Sequence, residues 1–365
     1  MSPTDAAAQT IAQQAGEAIL QQKDTLAAEL VAREFSRHPD LEQRYGAIAR
    51  EKSLQDAGYH LAYLANALSC ENPALFVDYV EWARAVLSAR GVRPEDLAFH
   101  LECTRETLLA GLPPQLAAEA ASYLQAALGE MPSMPDELPS YLSGGGPLSP
   151  LVHQYLHALL RGDRRTASRL VMDAVDRGAG IREIYLEVFQ PAQREIGRLW
   201  QTNKISVAQE HYCTAAAQLI MSQLYPLLFA GERSGPTLVM ASVAGELHEI
   251  GARMVADFFE MEGWNTFYTG ANTPTESVIR TLIEQRAAVL GISATIAFNL
   301  PSVEALVRAV RDRPECNGVR IMVGGYPFNR DRELWRKLGA DGFGLDAQDA
   351  VSRAQELLGA RGSQA

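Results

Sequence analysis

One histidine of this chain stands between two glutamates in a glycine-bounded segment, Gly245-Glu246-Leu247-His248-Glu249-Ile250-Gly251. An imidazole can ligate a metal through one ring nitrogen while the other donates to a carboxylate, which fixes the ring and raises its basicity. Two further elements follow, Ser293-Ala294-Thr295 and Gly324-Gly325. A serine offers a hydroxyl, and glycines let the backbone approach a ligand closely. Upstream, Trp200 precedes Glu210-His211 by ten residues. Singly each has a plainer reading. His248 reads as a residue at a helix start, the glycine pair as a strand-to-loop turn, Trp200 as bundle core, and Glu210-His211 as a capped helix start near Ser206.

Their value depends on the elements that carry them. From Thr237 short apolar runs alternate with helical segments: TLVMASV then HEIGARMVADFFEMEG, NTFYTG then TESVIRTLIEQR, AVLGISA then SVEALVRAVRDR, RIMVGG then DRELWRKLG, and DGFGL then AQDAVSRAQELL. Five strands alternating with five helices predict a doubly wound parallel α/β domain over residues 236–360. Ligands of such sheets sit at the carboxyl ends of the strands, where all three elements fall. Residues 150–232 read as a four-helix bundle of two shorter and two longer amphipathic segments. Residues 1–128 read as an all-α domain with apolar positions every three or four residues, as in Leu61, Leu64 and Leu68. The Pro-, Gly- and Ser-rich stretch 129–149 reads as a linker.

About 41 residues separate Gly251 from Ser293, and about 28 separate Thr295 from Gly324. This pattern resembles that of the flavodoxin-like cobalamin-binding domain of methionine synthase, corrinoid methyl carriers, some mutases and light sensors: D-x-H-x-x-G, then S-x-L, then G-G. The resemblance implies that His248 ligates cobalt, that Glu246 stands in the carboxylate position usually held by Asp (with Glu249 the weaker candidate), and that Ser293 lines the channel of the cofactor's nucleotide tail. It gives Gly251, Gly324 and Gly325 a close approach to the ligand and puts Thr295 where the family has Leu.

The bundle then resembles a cap over the upper face of cobalamin, and W-x9-E-H is similar to the pattern of adenosylcobalamin photoreceptors. Trp200, Glu210 and His211 match it and are expected to border an adenosyl group, since adenine takes an aromatic wall and ribose a few hydrogen-bonding groups. Gln201 departs from the light-regulated repressors of that family, which have His after the Trp, and no helix-turn-helix region is evident. The domain order resembles that of photocobilins, which implies biliverdin as a second chromophore. Tyr59, His60, Tyr63 and His100 are its candidate contacts and Cys103 a candidate thioether. An aromatic core with half-buried histidines, a haem site at His60 or His100, and a dimerisation domain are the rival readings. The expectation is a light sensor, not an enzyme, in which photolysis of adenosylcobalamin alters cap packing or oligomeric state. The alternative is a corrinoid methyl carrier of a methyltransferase system.

Composition narrows the classes. The 365 residues are 47% hydrophobic and 21% charged, ordinary for globular domains. A net charge of −11 without a Lys/Arg-rich run argues against direct nucleic-acid binding. No apolar run approaches the roughly 20 residues that span a bilayer, and MSPTDAAAQT lacks a signal peptide's features, so no membrane partner and a cytoplasmic protein are expected. Cys70, Cys103, Cys213 and Cys316 form no C-x-x-C pair. No kinase or cyclase module is evident, so the output is expected to be a homo-oligomer or a downstream signalling protein.

Overall fold

The structure is a computed structural model that describes residues 9–135, 137–228 and 235–362. The first eight residues, including most of MSPTDAAAQT, and the ends of the domain ranges expected at residues 1 and 232 lie outside the described residues. The chain divides into two compact units, Met1–Leu138 and Pro139–Ala365, with the boundary inside the stretch read as a linker.

The first unit is helical: α1 (Ile11–Gln21), α2 (Lys23–Arg37), α3 (Leu41–Tyr45), α4 (Ala49–Ser69), α5 (Pro73–Ser88), α6 (Pro94–Gly111) and α7 (Pro114–Glu130). Local chemistry sets several starts. Thr10 and Gln13 form a reciprocal capping box at α1, and Asn72 accepts from Ala74 N at 3.0 Å ahead of α5. Proline opens α5, α6 and α7, where its missing N–H costs no intrahelical bond. Leu61, Leu64 and Leu68 are buried as their spacing predicts, alongside Ile19, Leu30 and Phe76.

The second unit opens with α8 (Ser149–Leu160) and α9 (Arg164–Asp176). Next comes α10 (Ile181–Ile184), which runs through a π-turn at Tyr185–Phe189 into α11 (Gln190–Gln201), and then α12 (Val207–Leu224). The π-turn interrupts what the sequence reads as one regular helix. Pro191 has no N–H, and its ring would meet the carbonyl of residue 187; the turn before it loosens, so Gln190 N donates to Tyr185 O, five residues back. Ser206 and Gln209 cap α12 reciprocally.

Five parallel strands complete the unit: β1 (Thr237–Ser242), β2 (Asn265–Tyr268), β3 (Val289–Ser293), β4 (Arg320–Gly324) and β5 (Gly342–Gly344), in the order β2-β1-β3-β4-β5. The interleaved helices are α13 (Ile250–Met261), α14 (Thr275–Glu284), α15 (Leu300–Arg311), α16 (Tyr326–Arg330), α17 (Leu334–Lys337) and α18 (Ala347–Gly362). The expected doubly wound sheet preceded by helices is therefore present. Chain order reverses at β1 and β3, where such sheets bind ligands. Among the described residues no helix is long and apolar enough to cross a membrane.

Candidate functional site

The loop after β1 turns on Gly245, whose φ of +86° suits glycine. Its N–H donates to Asn272 Oδ1 at 2.8 Å, and Asn272 N donates to Glu246 O at 2.9 Å. So pinned, the loop sends its two functional side chains opposite ways. Glu246 is fully buried, whereas the His248 side chain is 60% exposed.

Glu246 is the hub. Its Oε1 accepts from His248 Nδ1 at 2.6 Å and from His248 N at 3.0 Å. Its Oε2 accepts from Thr295 N at 2.6 Å and from Asn299 Nδ2 at 3.0 Å. Burial pushes the Glu246 carboxyl up, but the His248 ring and the backbone N–H groups of His248 and Thr295 outweigh it and hold the group below its usual range. The hydrogen bond to Glu246 raises His248 against its own burial, and the Glu210 carboxylate adds to the rise. An ionised carboxylate only accepts, so Nδ1 carries the proton and Nε2 is left as the ligating nitrogen. The longer glutamate side chain thus reaches the ring without loss of geometry. Glu249 does not compete for it: its carboxylate accepts from Gln218 at 2.6 Å and from Tyr268 at 3.2 Å.

The bundle lies on α13 through polar contacts. Tyr185 donates to Asp257 at 2.7 Å, Arg253 donates to Ser222 at 2.9 Å, and Arg182 pairs with Glu262. Glu210 closes the first turn of α12 and His211 follows it, with His211 Nδ1 donating to Glu210 Oε2 at 2.6 Å. Glu210 also accepts from Thr214 at 2.9 Å. The His211 side chain is 75% exposed, and Trp200 is half-buried at the end of α11.

The strand ends are bare. In register, Ser242 lies opposite Ser293, Ser293 opposite Gly324, and Gly324 opposite Gly344. A Cβ added at Gly251 would meet open space, so α13 begins with exposed backbone. Gly325 has a different reason to be glycine. Its φ is +117°, and a Cβ there would lie 1.9 Å from Ala294 O, so the crossing of two backbones by itself requires glycine at this position.

Residues 236–352 match the model of the B12 binding domain, and residues 151–225 match a second B12 binding domain model. This stretch is a cobalamin-binding unit. Dimethylamine corrinoid protein 1 of Methanosarcina acetivorans is 25% identical to the chain, over 52% of the chain and 90% of the relative. A corrinoid protein of Desulfitobacterium hafniense is 22% identical, over 57% of the chain and 98% of the relative. The solved monomethylamine corrinoid protein of Methanosarcina barkeri is 18% identical with a TM-score of 0.52, over 57% of the chain and 99% of that structure, which speaks for the fold alone. The cobalamin-binding unit fits its cofactor: a histidine held by a buried carboxylate, a bare helix start, and strand ends without bulk.

The expectation of a light sensor is corrected by these relatives, which are corrinoid proteins covered almost end to end. The comparisons support cobalamin, but neither an adenosyl upper ligand nor biliverdin. In the first unit the residues assigned to a second chromophore are occupied otherwise. His60 Nδ1 pairs with Tyr79 OH at 2.8 Å, and His100 Nδ1 lies 3.1 Å from Glu34 Oε1, all four residues being buried. Tyr63 stacks on Tyr79 at 3.8 Å, while Tyr59 is exposed. Cys103 has no exposed surface, and burial pushes its thiol up to about 11, which keeps it from being a ready nucleophile. His60, Tyr63, His100 and Cys103 thus pack within the helical unit, whereas Tyr59 lies at its surface.

Asn299, Asn272 and Ser242 were missed from sequence. An asparagine in a loop gives no signal of its partner; only the approach of the β2 and β3 loops to the β1 loop shows that Asn272 pins its backbone and Asn299 holds the Glu246 carboxylate. Ser242, at the end of an apolar strand, carried a cue in its alignment with Ser293, which requires the register to be known.

Proposed function

We propose that this chain is a corrinoid protein that carries a methyl group between methyltransferase active sites, the alternative raised from the sequence. The observation that supports it is the near-complete coverage of dimethylamine and other corrinoid proteins by this chain. Bound cobalamin supplies a cobalt centre able to take up and release a one-carbon group. The chain's own part would be to hold it: His248 would ligate cobalt through Nε2, Glu246 would fix that ring, and Glu210, Trp200 and His211 would border the group from the bundle. The upper group in this reading is methyl, the partners are methyltransferases, and the chain is a carrier that does not turn over alone.

The test uses the full chain loaded with cobalamin bearing isotope-labelled methyl, mixed with a corrinoid:thiol methyltransferase and a thiol. Labelled thioether is expected at a rate that rises with carrier concentration. Label that stays on the protein, with free methylcobalamin demethylated normally by the same enzyme, would overturn the proposal.

A further inference from the structure

Two hydroxyls lie side by side at the switch point of the sheet. Ser242 closes β1, Ser293 closes β3, and the two are paired in register. Aligned residues of neighbouring parallel strands share a face. Two residues earlier that face carries Met240, opposite Gly291, which is opposite Met322. Met240 and Met322 belong to the apolar cluster that includes Met254 and Phe258 of α13 and Val351 of α18. Ser242 and Ser293 therefore face the layer between the sheet and these two helices, and Gly324 and Gly344 continue the row without side chains.

Ser242 has no exposed surface, yet its Oγ has no hydrogen-bond partner. A buried hydroxyl left unpaired costs free energy, and a ligand acceptor removes that cost. The resemblance gives the tail channel to Ser293 and nothing to Ser242. A ring nitrogen has one in-plane lone pair and takes one such hydrogen bond. A benzimidazole lifted off cobalt presents one nitrogen of this kind, and a purine presents more. Adjacent strands lie about 4.8 Å apart, close enough for both hydroxyls to reach neighbouring acceptors on one base edge.

We propose that Ser242 and Ser293 together read the displaced base of the cofactor, and that this pair favours a corrinoid with a purine base over one with benzimidazole. Ser242 is the second donor, used fully only when the base edge carries a second acceptor. The inference rests on cobalamin binding by this unit and is independent of the methyl-carrier proposal.

The test titrates the full chain, followed by absorbance, with cobalamin, with its adenine-base analogue, and with cobinamide, which has no base. Wild type is expected to bind the adenine form about tenfold more tightly than cobalamin, equivalent to about 1.4 kcal/mol. Ser242→Ala reduces that preference to about twofold or less and leaves the Kd for cobinamide unchanged; Ser242→Thr, which keeps a hydroxyl, preserves the preference. Absence of the preference in wild type, its survival in Ser242→Ala, or an equal loss for cobinamide would each overturn the assignment. Should Ser242→Ala fail to fold, the wild-type comparison still decides.

Discussion

The Glu246 carboxylate lies 2.6 Å from His248 Nδ1 and is itself sealed from solvent, while the imidazole it holds stands largely exposed. A buried anion thus aims an exposed ligand. The same carboxylate ties the β1 and β3 loops together through Thr295 N and Asn299, so ring orientation and loop closure depend on one group.

Glu246→Gln puts an amide NH2 against donors that now meet an acceptor, whichever way the amide is turned. Loss of the charge also weakens the hold on His248. Corrinoid affinity is expected to fall about 10- to 100-fold, the usual effect of removing a carboxylate behind a metal-bound histidine. Equilibrium titration of apo-protein with cobalamin measures it, and an unchanged Kd would show that the carboxylate does not support the ligand.

Asp257 gives a pH prediction. Burial pushes its carboxyl up to about 6, the opposing effects of Tyr185 and Arg253 notwithstanding. Between the unfolded value of about 3.9 and 6 the folded state holds the extra proton, so stability falls as pH rises through this window. The penalty is complete above it. Asp257→Asn, which can still accept from Tyr185, should flatten that slope and raise stability at pH 7 by about 1–3 kcal/mol. Urea unfolding at several pH values reads this directly; a variant less stable at pH 7 would contradict it.

Gly325→Ala should be among the most damaging single-atom additions in the second unit. At a φ of +117° the added Cβ would overlap the Ala294 carbonyl, and no flexible side chain is there to yield. A loss of about 2–4 kcal/mol is expected from the strain and the displaced loop. Gly251→Ala, which meets open space, should leave stability within about 0.5 kcal/mol. Thermal melts of the two variants side by side make the comparison.

In the first unit, His100→Leu would leave the buried Glu34 carboxylate without its imidazole. A loss of about 1–3 kcal/mol is expected for leaving a buried polar group without its hydrogen-bond partner. Tyr59→Ala, at an exposed position, should change stability by about 0.5 kcal/mol or less. Near-equal effects in chemical denaturation would show that the cluster is not structural.

The sequence by itself determined the sheet, because apolar runs ending in Ser293 and Gly324 alternate with helical periods and each strand's pattern is local. It also placed His248, Ser293 and Gly324 at the carboxyl edge of the sheet, since each follows an apolar run that reads locally as a strand. It did not separate a methyl carrier from a light sensor: Trp200, Glu210 and His211 are a wall and two polar groups that several upper ligands could use. Nor did it find Asn299, Asn272 or the orphan hydroxyl of Ser242. Those depend on the approach of loops about 50 residues apart in sequence and on strand register, and only tertiary structure sets either. The tyrosines and histidines of the first unit follow the same rule. Residue type offers a chromophore pocket or a polar core equally, and the pairing of His60 with Tyr79 and of His100 with Glu34 is visible only in the folded chain.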